Sequence, residues 1–576
     1  MKTHPLYQAA IQMASGEVTP AGIDFFLGQT IDRFTDASGR ALPELQSVLE
    51  AIETDFIEGK TTAVVAAFQR LVAQVGGKVR GAIVLPQDDV PYWTLHLETP
   101  ADDQLKRKLL RGQSTKEVAQ QFPFAEFHST PELSAEADIV IIGAGLTGTN
   151  VAYHLNREAP QGTRIVILDS DLLKAASFRN GGNFEPVPEN FLGDYEGLAR
   201  ERQKYIQLTR PHLSENQALE LAKEQSNWIL KWCASNVKQL QAMFSENGIH
   251  AFALKNGWLR MAETSAEELA LKTEVERAQK LGLEFEFWPC DRIRSELKIP
   301  AKFGGSMAKN SGNYHPGRLI TQLLRLLIQR GVQLHTHTPV QRISNAENGT
   351  YRIETERGSI NARKVVVGTN AFTRDLLPQM ASAIHPFQSH IADFEHVALP
   401  SENPIVFATL TWNLGDGYAH FRRETVGRDA QGTQRGMYHV GGGRDLPIED
   451  PHHVTPQPEV LQSIVSNFNS LFPETKGQPP RRFWTGPMGF TPDRIPLVGE
   501  YRPGLFLSAG YNGYGGTWSI QAAYETAQLV LHGRGTALYE ERFLSPHRFE
   551  NGTAVNPLGR SFMNDDPEAY RIALRR

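Results

Sequence analysis

Three glycines and one aspartate in the chain have the types and spacing that bind the pyrophosphate and ribose of a dinucleotide. Gly143, Gly145 and Gly148 are spaced G-x-G-x-x-G, and Asp169 follows about 20 residues after the last of them. In this fingerprint Gly143 makes a tight turn, Gly145 lets the main chain approach a pyrophosphate, and Gly148 lets a helix pack closely on a strand. Asp169 is spaced to accept hydrogen bonds from ribose hydroxyls. These residues predict a dinucleotide-binding site.

The segments around these residues supply the strand, helix and second strand that the fingerprint needs. Residues 137–142 are rich in β-branched side chains, a helical stretch with one apolar side follows, and residues 164–168 form the second strand. The helix N-terminus offers unpaired N–H groups and a partial positive charge to phosphate. Leu146 and Thr147 lie at that N-terminus and Ser170 follows the aspartate, so all three are predicted to bind the cofactor.

Three longer strings follow the fingerprint in order. They are A-S-F-R-N-G-G at 176–182, T-P-D-R-I-P-L-V-G at 491–499 and A-G-Y-N-G-Y-G at 509–515. Together they resemble the flavin-binding segments of the D-amino-acid oxidase superfamily, which includes glycine oxidase, sarcosine oxidase and γ-glutamylputrescine oxidase. That family commonly has glycine where this chain has Phe178. The resemblance covers roughly residues 137–533 and leans toward the γ-glutamylputrescine oxidase branch.

The resemblance implies FAD as the cofactor. Covalent members of the family use a Cys shortly before the T-P-D segment or a His near the early loop, and this chain has no Cys in 481–490 and no His in 174–184. We therefore expect non-covalent FAD. Beyond the fingerprint, the resemblance places these residues at the cofactor: Ser177, Arg179, Asn180, Gly181, Gly182, Val340, Thr369, Asn370, Gly486, Asp493, Arg494, Ile495, Gly510, Tyr511, Asn512, Gly513, Gly515, Gly516 and Thr517.

Four residues are predicted to act on the substrate, namely Tyr418, His420, Arg422 and Tyr514. The first three alternate along a predicted strand and therefore share one face. A solvated sheet face and a substrate pocket both explain this pattern. A guanidinium in a pocket would bind a carboxylate through two hydrogen bonds. With Arg422, His420 and Tyr418, His390 is a further candidate to orient a substrate carboxylate or amide.

An amine pocket is the companion hypothesis. It would be walled by the aromatic side chains of Tyr511, Tyr514 and Trp518.

The resemblance implies oxidation of a C–N bond. A neutral amine, amino acid or N-substituted amino acid would give a hydride to flavin N5, and the imine would hydrolyse in water. We expect reoxidation by O2 to H2O2, because the similar proteins are oxidases and the chain has no cysteine cluster for an iron–sulfur centre. A fixed positive charge near the ring would assist that step, from Arg422 or from His420 if an acid raises its pKa.

Three alternatives remain open. One is a dehydrogenase that passes electrons to a protein or quinone acceptor. Another is a flavin monooxygenase or halogenase, although the Gly-Asp that precedes the last flavin helix in those families is missing here. The third, less favoured, is a partner-recruiting protein with a vestigial flavin site.

Composition excludes several other classes. The net charge of −5 gives no general attraction to nucleic acid or to anionic membranes. No stretch approaches the ~20 apolar residues of a membrane span, and the N-terminus leads into no apolar signal region. The two cysteines, Cys233 and Cys290, are far apart and indicate neither a disulfide framework nor a metal site. We expect a cytoplasmic enzyme without a metal, a nucleic-acid partner or a membrane partner.

The predicted fold class is α/β, or α+β overall. It consists of a Rossmann-like FAD-binding domain interleaved with an antiparallel-sheet substrate domain, after a mostly helical N-terminal region. The predicted divisions are 1–135 (an extension of unknown role, for which a partner or a second copy is the candidate contact), 136–215, 311–375 and 483–545 (FAD-binding), 216–310 and 376–482 (substrate domain), and 546–576 (tail). Within them, Tyr195–Gly248 is predicted to be one long helical region.

Overall fold

The computed structural model describes residues 132–184, 195–249, 257–280, 282–297, 299–397, 406–409, 418–428, 434–443, 445–472, 475 and 478–549. The predicted helical extension therefore lies outside the described residues except for 132–135. The predicted tail lies outside them beyond residue 549. In the described part of the chain, no helix combines the length and the apolar character needed to cross a membrane.

The helices of the described residues are numbered in chain order: α1 Leu146–Glu158, α2 Tyr195–Thr209, α3 Glu215–Asn247, α4 Ser265–Lys280, α5 Cys290–Leu297, α6 Pro316–Gln329, α7 Thr373–Leu376, α8 Pro458–Leu471, α9 Gly515–His532 and α10 Glu541–Leu544.

The strands are numbered in the same way: β1 Glu136–Ile142, β2 Ile165–Leu168, β3 Asn183–Phe184, β4 Trp258–Met261, β5 Phe285–Trp288, β6 Gly305–Ala308, β7 Gly312–Asn313, β8 Gln333–His335, β9 Val340–Asn345, β10 Tyr351–Thr355, β11 Gly358–Val367, β12 His385–Val397, β13 Val406–Thr409, β14 Tyr418–Arg428, β15 Gln434–Gly443, β16 Leu446–Pro447, β17 Arg482–Phe490, β18 Leu497–Arg502 and β19 Leu505–Ala509.

The first sheet is a parallel sheet of the dinucleotide-binding type. Its order is β18-β19-β11-β1-β2-β8, and β10 with β9 continues from β11 as an antiparallel extension. Strands β19, β11, β1, β2 and β8 run parallel to one another. The residues of β2 are buried without a break, as expected for a strand that is covered on both faces. On one face, the apolar residues of α1, α6 and α9 form a core with those of β1 and β2.

The second sheet is largely antiparallel. Its order is β16-β12-β15-β14-β13-β4-β6-β5, with β17 paired to β12. Among the strands that the structure describes, only β13 and β4 pair in parallel in this sheet. One face of its centre packs against Phe468 in the C-terminal half of α8, whose ring stacks on Phe394 with ring centroids 4.2 Å apart. The predicted fold class is confirmed by the two sheets. The boundaries of the predicted domains remain a prediction.

The helical region predicted over Tyr195–Gly248 is divided into α2 and α3. Pro211 has no N–H group and disfavours helical backbone in the residue before it, so α2 ends there. Ser214 then begins α3, because its side chain accepts from the Gln217 N–H group while the Gln217 side chain accepts from the Ser214 N–H group. Gly248 ends α3 in the left-handed conformation, with φ 60°.

Candidate flavin and substrate site

The predicted cofactor residues collect at one edge of the parallel sheet. Strands β1, β2, β11 and β19 all end there, because parallel strands present their carboxyl ends on the same side. The turn after β1 contacts the turn after β11 through the Gly368 N–H group, which donates to the Ile142 carbonyl at 2.9 Å. Sequence spacing alone does not show this proximity, which depends on the strand order.

The fingerprint glycines leave no room for side chains. A Cβ atom on Gly143 (φ +102°) would lie 2.9 Å from the Gly368 carbonyl oxygen, and one on Gly145 would lie 2.7 Å from Ser177 Oγ. A Cβ on Gly148 would lie 1.8 Å from the Gly143 carbonyl oxygen. The glycines therefore let α1 approach β1 closely and keep the main chain bare at the helix N-terminus, which is the feature that a pyrophosphate requires.

Ser177 and Arg179 fasten the loop that follows β2. Ser177 Oγ accepts from the Leu146 N–H group at 2.8 Å and so contacts the N-terminus of α1 directly. Arg179 Nε donates to the Leu173 carbonyl, and its Nη1 donates to the Thr485 carbonyl, each at 2.8 Å. The guanidinium thereby joins this loop to β17 of the second sheet.

The two carboxylate oxygens of Asp169 differ in their hydrogen bonding. Its Oδ2 accepts from the Ala144 N–H group at 2.6 Å, whereas the buried Oδ1 has no hydrogen-bond partner. Burial raises the pKa of Asp169 to about 6, although the hydrogen bond from Ala144 opposes that shift. A buried oxygen without a donor is costly, so a hydroxyl group of a bound ribose would relieve it.

Two asparagines in left-handed conformation hold the C-terminal glycine turn. Asn370 (φ 46°) accepts through Oδ1 from the Gly510 N–H group at 3.0 Å. Asn512 (φ 56°) accepts from the Thr491 N–H group at 2.7 Å and donates to the Gly510 carbonyl at 2.7 Å. Asn370 therefore links the turn after β11 to the turn after β19.

The R-N-G-G loop is held by its own asparagine and by α9. Asn180 accepts from the Gly182 N–H group at 2.6 Å and donates to the Ser177 carbonyl at 2.8 Å. A Cβ atom on Gly516, in the first turn of α9, would lie 2.2 Å from the Asn183 carbonyl oxygen. The N-terminus of α9 therefore packs directly against the strand that follows the loop.

The T-P-D segment is held by an ion pair that the sequence did not indicate. Arg548 Nε and Nη2 each lie 2.8 Å from a carboxylate oxygen of Asp493. Arg202 Nη1 donates to the Asp493 carbonyl at 3.1 Å. Arg548 lies in the predicted tail, and its partner Asp493 is one of the predicted cofactor residues.

The other predicted cofactor residues have these positions: Thr147 in the first turn of α1; Ser170, exposed, after β2; Gly181 beside the His420 ring; Val340, half-buried, at the start of β9; Thr369 after β11; Gly486 in β17 against Arg179; Arg494 and the buried Ile495 between β17 and β18; Tyr511 and Gly513 in the turn after β19; and Gly515 and the buried Thr517 in α9. Their contact with a cofactor remains a prediction.

His420 lies between the R-N-G-G loop and β15. A Cβ atom on Gly181 would lie 2.7 Å from His420 Cε1, and one on Gly441 would lie 2.1 Å from its Nε2. Asn183 Nδ2 donates to His420 Nδ1 at 3.3 Å, which places the ring proton on Nε2. Burial lowers the pKa of His420 to about 4. The ring is therefore neutral at pH 7, and the predicted positive charge on His420 is wrong.

Arg422 is buried, with only 1% of its surface exposed, so a solvated position for this side chain is excluded. Its Nη1 donates to the Gly182 carbonyl at 3.1 Å and also to the Tyr314 carbonyl. The guanidinium therefore contacts the main chain of the R-N-G-G loop. Binding of a substrate carboxylate by Arg422 remains a prediction. Tyr418 is the first residue of β14, and its side chain lies outside the described part of the structure.

His390 does not share the face of His420 and Arg422. Its neighbour Ile391 lies opposite Gly441, which lies opposite His420, so the alternation of β12 turns His390 to the other face. There the imidazole stacks on Phe483, with ring centroids 5.4 Å apart. The grouping of His390 with His420 as carboxylate ligands is therefore wrong.

The predicted aromatic amine pocket is also not formed by the residues that were proposed. Trp518 is fully buried and stacks on Trp228, with ring centroids 6.1 Å apart. Tyr511 is buried in the same core, where its hydroxyl group lies 2.9 Å from Ser508 Oγ. Only Tyr514, at the N-cap of α9, is partly exposed. Trp518 and Tyr511 stabilise the packing of α9 and do not wall a pocket.

These arrangements fit FAD. The unpartnered Asp169 oxygen, the bare glycine turn and the N-terminus of α1 lie together at the edge where a dinucleotide binds. The fingerprint residues, Asp169 and Ser177 would hold the adenosine and pyrophosphate moieties. Among the residues that the structure describes, no group of three or more His, Cys, Asp or Glu side chains could hold a metal ion.

Comparison with known proteins agrees with this geometry. Residues 138–529 match the family described as FAD dependent oxidoreductase, abbreviated DAO. The chain is 24% identical over 426 residues to a D-amino acid dehydrogenase of Neisseria meningitidis, covering 68% of this chain and 95% of that protein. It is 23% identical over 436 residues to the gamma-glutamylputrescine oxidoreductase of Escherichia coli strain K12, covering 73% and 88%.

A solved structure shows the same fold. The L-proline dehydrogenase from P. horikoshii superimposes with a TM-score of 0.55 at 18% identity, covering 73% of this chain and 99% of that one.

Proposed function

We propose that this chain, which belongs to the FAD-dependent oxidoreductase family, binds FAD without a covalent bond and oxidises the C–N bond of an amine or amino acid. The observation that carries the proposal is the position of His420. It lies on the antiparallel sheet and contacts Gly181 of the loop that the resemblance places at the flavin ring. Bound FAD would supply the hydride acceptor, and the protein would orient the substrate, exclude water and supply charge.

The environment of His420 suits a substrate amine in its neutral form. Burial disfavours the charged form of a basic group, as the lowered pKa of His420 (about 4) illustrates. A substrate ammonium that enters the same surroundings would lose its proton more readily, which leaves the nitrogen lone pair free to assist hydride loss. The His420 ring carries its proton on Nε2.

The substrate class follows from the relatives. One is named for D-amino acids and another for gamma-glutamylputrescine, so amino acids and amines are both included in the proposal. Arg422 would bind a substrate carboxylate after turning part of its guanidinium from the carbonyls of Gly182 and Tyr314. An amine without a carboxylate would need no such change.

The proposal also includes the electron acceptor that reoxidises the reduced flavin. We include O2 as the acceptor, giving hydrogen peroxide, on the basis of the resemblance to oxidases. A dehydrogenase is the alternative function, and the named dehydrogenases among the similar proteins favour it. Because His420 is neutral at pH 7, it supplies no positive charge to promote the reaction with O2.

Anaerobic bleaching of the flavin tests the proposal. The FAD-loaded protein would be mixed with a panel of amines, amino acids and N-alkyl amino acids, and the visible absorption followed. We expect at least one member to bleach the flavin, with ammonia or an amine and a carbonyl compound as products. Failure of the whole panel to bleach a flavin that dithionite reduces normally would reject C–N oxidation. Acid denaturation should release all of the flavin, and flavin retained on the denatured chain would reject non-covalent binding.

A further inference from the structure

Four buried side chains form a row across the antiparallel sheet. Arg422 on β14 lies opposite His439 on β15, His439 lies opposite Asp393 on β12, and Asp393 lies opposite Arg482 on β17. Directly opposite residues of antiparallel strands point to the same face, with Cβ atoms about 5 Å apart. Each of the four side chains belongs to a residue that is at most 2% exposed. We call this set the charge row.

The charge row is joined by short hydrogen bonds around Asp393. His439 Nδ1 donates to Asp393 Oδ1 at 2.5 Å, and Arg482 Nη1 donates to Asp393 Oδ2 at 2.9 Å. At the other end, Arg422 Nη1 donates to the carbonyl of Gly182. A buried cation is stable only when it is compensated, and the row holds two arginines and a single carboxylate. The Asp393 carboxylate therefore contributes to the compensation of positive charge in the buried row.

The face that bears the charge row is the face that the R-N-G-G loop covers. Two residues further along each strand, the neighbouring row of the same face contains His420 on β14 and Trp484 on β17. His420 contacts Gly181, and Trp484 Nε1 donates to the Arg179 carbonyl at 3.1 Å. The side chains of this face therefore support the loop at both of its ends.

The loop is sensitive to the position of Arg422. Gly182 has φ +69°, and a Cβ atom there would lie 2.1 Å from Arg422 Nη1. The Gly182 carbonyl accepts from the Tyr314 N–H group at 2.8 Å as well as from Arg422. A displaced guanidinium would consequently shift the main chain that the resemblance places at the flavin ring.

We propose that Asp393, His439 and Arg482 are positioning residues for the flavin-side loop and act through Arg422. Asp393 offsets the repulsion between the two buried cations, and His439 fills the position between Asp393 and Arg422. None of the three is expected to touch the substrate. The proposal rests on FAD as the cofactor and does not depend on which substrate is oxidised.

The test is a charge-compensation series on the full-length holoprotein. Asp393→Asn keeps an acceptor for His439 but removes the carboxylate that pairs with Arg482 in the row. We expect FAD affinity to fall at least about ten-fold and the visible circular dichroism of bound FAD to change. The double variant D393N/R482M removes the second cation as well. We expect it to regain most of the affinity and the wild-type visible spectrum.

A purely structural hydrogen-bond role gives the opposite order, because the double variant would have lost two partners and would bind FAD no better than D393N. That order, or an unchanged affinity in D393N, would overturn the proposal. The matched control is Asp375→Asn, since Asp375 also contacts a histidine (His452 Nε2, 2.8 Å) but is exposed. D375N should bind FAD as the wild type does.

If D393N does not fold, His439→Gln replaces it. This variant keeps the charges of Asp393, Arg422 and Arg482 and removes the imidazole between Asp393 and Arg422. We expect weaker FAD binding and an altered visible spectrum with an unchanged far-ultraviolet spectrum, and wild-type FAD binding would overturn the proposal. A protein that binds FAD but bleaches with no amine would reject the proposed function and leave these measurements valid.

Discussion

At the scale of single residues, Asp169 links cofactor binding to pH. Burial raises its pKa to about 6 in the cofactor-free protein, so the carboxyl group takes up a proton as the pH falls below 6. Hydrogen bonds from a ribose favour the ionised form and lower the pKa, so FAD binding releases a proton. We expect the Kd of FAD to rise below pH 6, approaching ten-fold per pH unit, as measured by the fluorescence of free FAD.

The variant Asp169→Asn should show weaker binding at pH 7.5, by about 1–3 kcal/mol, and no such rise in Kd toward acid pH. The control is Asp138→Asn, because Asp138 is partly exposed and contacts Arg164 away from the glycine turn. A wild-type Kd that stays constant from pH 7.5 to 5 would show that Asp169 does not contact the ribose.

For single residues, the sequence predicted the roles of the fingerprint residues but not the sheet face to which each histidine side chain points. The fingerprint glycines and Asp169 could be assigned because their function depends on neighbours in sequence. The opposite faces of His390 and His420 could not, because they depend on strand register between segments far apart in the chain. The neutral state of His420 likewise follows from burial, which an alternating pattern does not reveal.

At the scale of elements, the two glycines in the first turn of α9 have different surroundings: Gly516 packs against the protein, and Gly515 does not. A Cβ atom on Gly516 would lie 2.2 Å from the Asn183 carbonyl, whereas one on Gly515 meets no protein atom within 4 Å. We expect Gly516→Ala to lower the free energy of unfolding by about 1–3 kcal/mol through the forced shift of β3. Gly515→Ala should leave the stability of the FAD-free protein unchanged or slightly higher.

Gly515→Ala also tests the predicted cofactor contact. A Kd for FAD that rises without any loss of stability would place Gly515 at the cofactor. An unchanged Kd in Gly515→Ala would remove it from the site. Thermal unfolding and FAD titration of the two variants provide both measurements.

The junction between the T-P-D segment and the predicted tail should be a strong stabilising contact. Arg548 and Asp493 form a bidentate ion pair, and their side chains are only 4% and 8% exposed. Arg548→Met would leave a buried carboxylate without its partner, and we expect a loss of about 3–5 kcal/mol in urea denaturation. The control is Arg542→Met, because Arg542 pairs with Glu540 and Glu224 at the surface and should cost less than about 1 kcal/mol. Equal losses in the two variants would contradict this assignment.

At the scale of the whole molecule, the order of sheet and helix segments could be predicted because each segment carries its own periodicity and glycine turns. The contacts between segments could not. Arg548 reaches Asp493 across 55 residues, and the charge row joins four strands that span 393–482 in the chain. Such contacts require the sheet order, and a single sequence gives alternation without register.

The acceptor that reoxidises the reduced flavin is also a property of the whole molecule. The pKa of His420 is lowered to about 4, so its charge does not change between pH 6 and 8. The enzyme would be reduced with dithionite and mixed with oxygenated buffer in a stopped-flow instrument. We expect the reoxidation rate to be constant over this pH range and to change less than about two-fold in His420→Asn.

A rate that falls as the pH passes 6.5, and that loses this dependence in His420→Asn, would show that the ring is charged when FAD is bound. The size of the rate decides between the two acceptors. Reoxidation at least as fast as turnover identifies an oxidase. Reoxidation much slower than turnover with an artificial acceptor identifies a dehydrogenase, in agreement with the named dehydrogenases among its relatives. Residues 1–135 would then be the first segment to test for binding of an electron-accepting partner.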